Sequence, residues 1–202
     1  MIIKAIETRY AGCHFRSRLE ARWAVFFDAA GIAWEYEPEG FESEHGRYLP
    51  DFYLPDTGTW VEVKGTNEAA REALCGLEMF LDFDSALPGM QESNASDRGL
   101  LLLGPIPRVD AGMSTRRVVT HQIVQHHKGL LLNDWSFQVG PSGGLCAEWN
   151  EPFDASEIDI ENFRTLKLDD DLGNHAGRVV AAYAAYAAAR SARFEHGQSG
   201  AT

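Results

Sequence analysis

The sequence predicts an α/β fold, and three observations support this class. The chain has 202 residues, of which 45% are hydrophobic and 11% aromatic, enough apolar material for a packed core. Apolar residues first recur at helical spacing and then alternate with polar residues as in strands. The order of elements is helix, three-stranded and mostly antiparallel meander, helix, strand, with C-terminal strands and an alanine-rich helix afterwards. The predicted organisation is a main domain at 1–150, an acidic surface connection at 151–172, a C-terminal helix at 173–196 and a disordered tail at 197–202.

The first helix is predicted to begin after Ser17. Serine is a favourable N-cap, and Glu20 follows three residues later, which completes the pattern of a capping box. Gly31 is expected to end the helix, because glycine adopts the left-handed C-cap conformation without strain. The apolar stripe between these two signals has helical spacing and consists of Leu19, Trp23, Phe26, Phe27 and Ala30.

Three strands are predicted next. Residues 34–37 alternate aromatic and acidic side chains, and Pro38 stops the alternation. Residues 47–54 form the second predicted strand. A turn rich in proline, aspartate and glycine spans residues 55–58 and leads into the third strand at residues 59–64.

A second helix is predicted from residue 67 to about residue 83, followed by a polar loop. The apolar run at residues 100–103 predicts an interior strand, because strands buried on both faces are continuously hydrophobic. Further along, residues 130–132 and 135–139 are candidate strands, and residues 145–149 are a candidate partner for them.

The overall charge limits the classes of partner. The formal net charge is −12, which argues against tight, indiscriminate binding of duplex nucleic acid, since cationic surfaces supply most of that affinity. The three cysteines are scattered, which is typical of reduced thiols in the cytoplasm rather than of disulfides or a zinc site. No apolar run approaches the roughly 20 residues of a membrane span. The sequence therefore predicts a cytoplasmic protein without a membrane partner.

The chemistry is expected at the predicted hairpin that carries Asp51, Glu62 and Lys64. Glu62 and Lys64 are two residues apart, so they project from the same face of their strand, and Asp51 lies on the neighbouring strand. Carboxylate oxygens suit Mg²⁺ or Mn²⁺, and an ammonium group beside them can stabilise charge on a phosphate. The alternative is an ordinary turn at Pro50-Asp51 and a solvated ion pair on the strand.

Four segments within residues 9–66 resemble the PD-(D/E)xK nuclease superfamily. More narrowly, the chain is similar to the phage endonuclease I family, the Holliday-junction-resolving type, and more distantly to the transposon-end endonuclease TnsA. The resemblance implies a restriction-endonuclease-like core and hydrolysis of DNA that leaves 5′-phosphate ends. The matching segments are FRSRLE at 15–20, GIAWEYE at 31–37, YLPDFYLP at 48–55 and VEVKG at 61–65.

The resemblance also implies roles for individual residues. Asp51 and Glu62 match the two central metal ligands, the carbonyl of Val63 matches a backbone ligand, and Lys64 matches the catalytic lysine. Glu20 matches an acidic residue on the first helix that reaches the metal site from the side, whereas the local pattern explains Glu20 equally well as part of a capping box. Nucleic-acid contacts are expected from Arg16, Arg18 and Arg47, although a solvated helix face would also account for the first two.

The predicted function is therefore that of a Mg²⁺- or Mn²⁺-dependent endodeoxyribonuclease. Junction or branched DNA is the leading substrate within this class, although the acidic balance runs against it. A structured substrate, or DNA delivered by a partner protein, fits the charge better, and a homodimer is compatible with the sequence. Two alternatives remain open. One is an accessory protein of a phage or mobile element that uses the fold to bind another protein, and the other is a TnsA-type transposon-end endonuclease. His121, His126 and His127 are expected to be structural, because their spacing does not match that of a metal site.

Overall fold

The chain folds into a mixed α/β structure, as predicted. The computed structural model describes residues 6–43, 46–81, 87, 99–109, 117–126, 130–137, 144–152, 154–162, 164–167 and 176–194. The helices in these residues are α1 (Arg18–Ala30), α2 (Asn67–Leu81) and α3 (Ala176–Ser191). The strands are β1 (Thr8–Tyr10), β2 (Cys13–Phe15), β3 (Glu35–Tyr36), β4 (Phe41–Ser43), β5 (Gly46–Tyr48), β6 (Phe52–Leu54), β7 (Thr59–Val63), β8 (Leu100–Leu103), β9 (Arg117–His126), β10 (Leu130–Phe137), β11 (Gly144–Pro152) and β12 (Arg164–Lys167).

One mixed sheet runs through the molecule in the order β11-β10-β9-β8-β7-β6-β3, and β12 pairs with β9 beside this path. The pairing of β3, β6 and β7 is antiparallel, which confirms the predicted meander. Helix α2 then returns the chain so that β8 lies parallel to β7. Two small hairpins, β1-β2 and β4-β5, stand apart from this sheet. None of the helices among the described residues is long and apolar enough to cross a membrane.

Helix α1 has the boundaries that its caps predict. The Ser17 hydroxyl accepts a hydrogen bond from the Glu20 N–H at 3.2 Å, and Gly31 adopts a left-handed conformation with φ of 67°. The Ile32 N–H then donates to the Phe27 carbonyl at 2.9 Å, which closes the C-terminal turn. These signals are local in the chain, and for that reason the sequence alone is sufficient to place the helix.

The sheet separates two apolar clusters. One cluster packs the sheet against α1 and α3 and includes Trp23, Val61 and Val63. The other lies beneath α2 and the segment 154–160 and includes Trp60. Alternation along β7 sends Val61 and Val63 to one face, so Glu62 shares the opposite face with Trp60.

The predicted single strand at residues 47–54 is wrong. Strand β5 ends at Tyr48 and pairs with β4, whereas β6 begins at Phe52 and pairs with β7. Pro50 lies in the break, and it has no N–H group to continue a ladder. The interruption frees Asp51 from regular strand geometry, so that its side chain is available for other contacts.

The C-terminal half is more regular than the sequence indicates. The two candidate strands at 130–132 and 135–139 form one strand, β10, as far as Phe137, and β11 pairs with it as expected. Strands β9 and β12 and the β1-β2 hairpin have no counterpart in the sequence-based assignment. The alanine-rich helix is confirmed as α3. The polar loop predicted at 88–99, apart from Gly99, and the predicted disordered tail at 197–202 lie outside the described residues.

The segment expected to be an acidic surface connection is in part packed into the fold. Ile158 and Ile160 are buried against the cluster beneath α2. The Asn67 side chain, at the start of α2, accepts hydrogen bonds from the N–H groups of Ile160 at 2.8 Å and Glu161 at 3.2 Å. The Arg71 guanidinium donates to three backbone carbonyl groups within residues 155–158. These contacts attach the C-terminal half to the helix that follows Lys64.

Candidate active site

Asp51 is held where β6 approaches the end of β7. Its N–H group donates to the Val61 carbonyl at 3.0 Å, and its own carbonyl accepts from the Glu37 N–H at 3.0 Å. The carboxylate Oδ2 accepts a hydrogen bond from the Val63 N–H at 2.7 Å, so a side chain replaces the backbone acceptor of a regular ladder. Asp51 is only 1% exposed. The carboxylate is therefore fixed in position by the sheet itself.

Glu62 and Lys64 join Asp51, as the sequence predicts. Glu62 is 5% exposed and its Oε1 is in contact with the Lys64 ammonium group. The same ammonium lies 3.7 Å from Asp51 Oδ2. The backbone N–H of Lys64 donates to the Leu103 carbonyl at 3.0 Å, which anchors the lysine to the neighbouring strand β8. The lysine thus bridges two buried carboxylates, one on β7 and one on the segment that leads into β6.

Two tyrosines support the acidic side chains. The Tyr48 hydroxyl donates to Glu62 Oε2 at 2.7 Å. The Tyr36 hydroxyl donates to Glu20 Oε2 at 2.7 Å. Each tyrosine comes from a strand next to the Asp51 segment, so the aromatic residues of β3 and β5 orient the carboxylates. The sequence reasoning missed both, although tyrosines adjoining a predicted acidic site were the available signal.

Glu20 performs the capping role and also lies beside the site. Its Oε1 accepts from the Ser17 hydroxyl at 2.7 Å, while its Oε2 accepts from Tyr36 and from the Arg16 N–H at 3.1 Å. Glu20 is 6% exposed, and its charge acts on Asp51. The two explanations of Glu20 are therefore compatible in geometry, and its role as a metal ligand stays a prediction.

Arg16 contacts the centre of the cluster from its open side. Its Nη2 donates to Asp51 Oδ1 at 2.7 Å and lies 2.6 Å from Glu37 Oε1. The Glu37 contact lacks hydrogen-bond alignment, so we treat it as a Coulombic pair and the Asp51 contact as the directional one. Glu37 has a φ of 44°, a left-handed conformation that is costly for glutamate and that recurs at functional sites.

The surroundings of Asp51 oppose ionisation of its carboxyl group. Burial, reinforced by the negative charge of Glu62, raises the pKa of Asp51 to about 7, even though Lys64 and the Val63 N–H lower it. Burial also raises the pKa of Tyr48 well above its ordinary value, with the charge of Glu62 adding to the effect. Burial lowers the pKa of Lys64, but the charges of Asp51 and Glu62 outweigh it, and the net shift is upward. A further positive charge would ionise Asp51 fully.

The acidic side chains of the cluster are the candidate ligands for a metal ion. Among the residues described, no group of three or more histidine, cysteine, aspartate or glutamate side chains is arranged to hold one. The two oxygen-donating side chains that do converge, Asp51 and Glu62, are of the type that Mg²⁺ and Mn²⁺ prefer, and these ions complete their shell with water. The residues therefore fit a hard divalent ion held by two carboxylates, on condition that Arg16 releases Asp51.

The predicted site residues divide into two groups. Asp51, Glu62 and Lys64 come together, with Glu20 beside them through Arg16 and Tyr36. Val63 supplies its N–H to Asp51. Arg47 instead pairs with Glu42 on the exposed β4-β5 hairpin at 3.0 Å, and Arg18 makes no ion pair with the cluster in the described part of the chain. Arg16 contacts Asp51 in the structure, and its predicted contact with nucleic acid stays a prediction.

Comparison with protein-family models, curated proteins and solved structures finds no match. The site has two buried carboxylates, one on β7 and one on the segment that leads into β6. An ammonium group lies between them and an exposed guanidinium lies at the edge, so the site can bind a cation and an anion side by side. A metal ion and the phosphodiester group that it contacts are such a cation and anion.

Proposed function

We propose that this chain is a divalent-metal-dependent nuclease that hydrolyses phosphodiester bonds in DNA, on a restriction-endonuclease-like core of PD-(D/E)xK type. One observation carries the proposal: Asp51 and Glu62 are buried side by side at the end of β7, with the Lys64 ammonium in contact with Glu62 and 3.7 Å from Asp51. Burying two carboxylates side by side is costly for a fold, and groups perturbed in this way are concentrated at functional sites. The resemblance of the same residues to a nuclease motif supports the choice of substrate.

Each residue then has a chemical task. Asp51 and Glu62 would hold Mg²⁺ or Mn²⁺, and Glu20 would adjoin it. A bound ion of this kind neutralises the phosphate and eases ionisation of a water molecule. Lys64 orients that water or balances the charge that builds up on the phosphate oxygens. Water attacks phosphorus, the bond to the 3′ oxygen breaks, and that oxygen takes a proton, which leaves 5′-phosphate and 3′-hydroxyl ends.

The form of the substrate follows from the charge of the whole chain. A net charge of −12 repels extended duplex, so contacts with many phosphates are unfavourable. DNA that a partner protein presents requires fewer phosphate contacts from this chain. We therefore propose a structured or partner-delivered substrate, and a cytoplasmic enzyme.

The direct test is a cleavage assay with plasmid, single-stranded, flap and four-way-junction DNA in Mg²⁺, Mn²⁺ or EDTA. Asp51→Asn is compared with Asp56→Asn, which makes the same change in the exposed turn five residues later. We expect metal-dependent cleavage of at least one substrate, lost in Asp51→Asn by about 100-fold or more and retained in Asp56→Asn. Absence of cleavage from every substrate, or equal loss in both variants, would refute the nuclease proposal.

A second function is favoured by one specific observation. All four oxygens of Asp51 and Glu62 already contact donors or cations of the protein: Arg16, the Val63 N–H, Lys64 and Tyr48. A network so complete is also compatible with a structural cluster in an accessory protein that binds another protein. Thermal unfolding separates the two, because an enzyme gains stability from Mn²⁺ and a purely structural cluster does not.

A further inference from the structure

Arg16 occupies one of the two carboxylate oxygens of Asp51. Oδ2 accepts a hydrogen bond from the Val63 N–H at 2.7 Å and lies beside Lys64, so it holds the end of β7. Within the described part of the chain, Oδ1 has no backbone contact and is bonded to the Arg16 guanidinium at 2.7 Å. A cation that binds Asp51 through Oδ1 therefore has to displace Arg16.

The backbone of Arg16 is fixed, whereas its side chain can move. Its backbone is fixed, because its N–H lies 3.1 Å from Glu20 Oε2 and 3.2 Å from the Tyr36 hydroxyl. Its side chain, in contrast, is 57% exposed, whereas that of Asp51 is 2% exposed. Because the main chain is anchored and the side chain is solvated, the guanidinium can rotate away from Asp51 while the start of α1 stays in place. Because the guanidinium is more than half exposed, it stays solvated when it leaves Asp51, which lowers the cost of displacing it.

We infer, on the basis of the proposed function, that Arg16 is an internal counter-ion that competes with the divalent cation for Asp51 and, once displaced, binds a phosphate of the DNA. In the metal-free protein Arg16 takes the place of the cation at Asp51 Oδ1. When the cation binds, the guanidinium is released at the open side of the cluster, where its planar donors fit a phosphate group. Cation and DNA would therefore bind cooperatively, since each favours the same position of Arg16.

Lys64 is not equivalent to Arg16 in this respect. Its side chain is less exposed, at 27%, and it contacts both Glu62 and Asp51. The N–H of Lys64 is also tied to β8 through the Leu103 carbonyl. We expect Lys64 to stay in the site and Arg16 to be the group that moves.

The first measurement is Mn²⁺ affinity of the full chain without DNA, by calorimetry or by the electron paramagnetic resonance signal of free Mn²⁺. Arg16→Met and Arg16→Lys are compared with Arg9→Met, which removes an exposed arginine from β1. Arg16→Met is expected to lower the dissociation constant about tenfold. Arg9→Met should leave it within about twofold, and Arg16→Lys should lie between the two.

The outcomes separate this inference from the nuclease proposal. If the unaltered protein binds Mn²⁺, Asp51→Asn abolishes binding and Arg16→Met changes nothing, the competition is refuted and the proposed function stands. If neither the unaltered protein nor Arg16→Met binds Mn²⁺, the metal site itself is refuted. Binding by Arg16→Met alone would support the competition in its strongest form.

The second measurement tests the transfer of Arg16 to DNA. Binding of a labelled flap oligonucleotide is followed by fluorescence anisotropy in EDTA and in Ca²⁺, a larger ion with the same preference for oxygen ligands. Arg16→Met should weaken DNA binding several-fold in Ca²⁺ and leave it unchanged in EDTA, where Arg16 is held by Asp51. An equal effect in both conditions would overturn the transfer, because Arg16 would then be available to DNA without a cation.

Discussion

The variant Asp51→Asn should change how the metal-free protein responds to acid. In the folded chain the pKa of Asp51 is about 7, compared with 3.8 for a free aspartate, because the group is buried beside Glu62. Its folded pKa is raised, so its contribution to stability is complete below pH 3.8 and is lost as the pH rises towards 7. His121 acts in the opposite direction. Burial lowers its pKa from 6.5 to about 3, so its contribution is present above pH 6.5 and is lost on acidification.

The contributions of Asp51 and His121 to the free energy of unfolding change in opposite directions over the same pH range. Each group shifts by about 3 pKa units, and each unit corresponds to about 1.4 kcal/mol. Between pH 6.5 and 4 the gain from Asp51 and the loss from His121 therefore nearly cancel in the unaltered protein. Asp51→Asn removes the stability that is gained from Asp51 on acidification and keeps the loss that comes from His121. Between pH 6.5 and pH 4 the variant should therefore lose on the order of 3 kcal/mol more stability than the unaltered protein.

The assay is urea denaturation in EDTA at half-unit steps from pH 4 to pH 7.5, with Asp56→Asn as the control for the exposed turn. Asp51→Asn should lose stability steeply as the pH falls, and Asp56→Asn should follow the unaltered protein. Saturating Mg²⁺ should make the unaltered protein behave like Asp51→Asn above pH 5, because the ion keeps Asp51 ionised. Parallel curves for Asp51→Asn and the unaltered protein would show that the pKa of Asp51 is not raised, and the reasoning would fail.

Three further variants test other contacts. Tyr48→Phe removes the donor to Glu62 and should cost about 1–3 kcal/mol in urea denaturation, an effect that an unchanged midpoint would contradict. Tyr186→Phe removes the hydroxyl that lies 2.7 Å from Nε2 of buried His121, with a similar expected loss; equal stability would mean that His121 finds another partner. Arg71→Met should speed amide hydrogen exchange in residues 155–161 while it leaves the melting temperature almost unchanged. Exchange that stays slow would show that the segment remains folded without the Arg71 hydrogen bonds.

Local signals were sufficient to predict part of the fold and of the site. The boundaries of α1 follow from Ser17 and Gly31, both within one turn of the helix ends. The joint orientation of Glu62 and Lys64 follows from their spacing of two residues at the end of β7. Asp51 is brought to them because the antiparallel pairing of β6 with β7 places the segment before β6 beside the end of β7. Geometry of this kind needs no knowledge of distant residues.

The remainder depends on contacts between residues far apart in the chain. Arg16 reaches Asp51 across 35 positions, and nothing near Arg16 in the sequence indicates that partner. Strand β9 escaped prediction because it is buried on both faces yet carries Thr120 and His121 inside the core, where a hydrophobic run is expected. His121 is tolerated there because α3 brings the Tyr186 hydroxyl to it, 65 residues later.

The parallel pairing of β7 and β8 also limits when the cluster forms during synthesis. Strand β8 lies between β7 and β9, and β9 begins only at Arg117. Helix α1 is covered by α3, which ends at Ser191. Nascent chains that have reached only residue 105 would expose an edge of β8 and the apolar face of α1. At about 5–20 residues per second, the ribosome needs about 4 to 17 seconds to add the elements that cover these two surfaces.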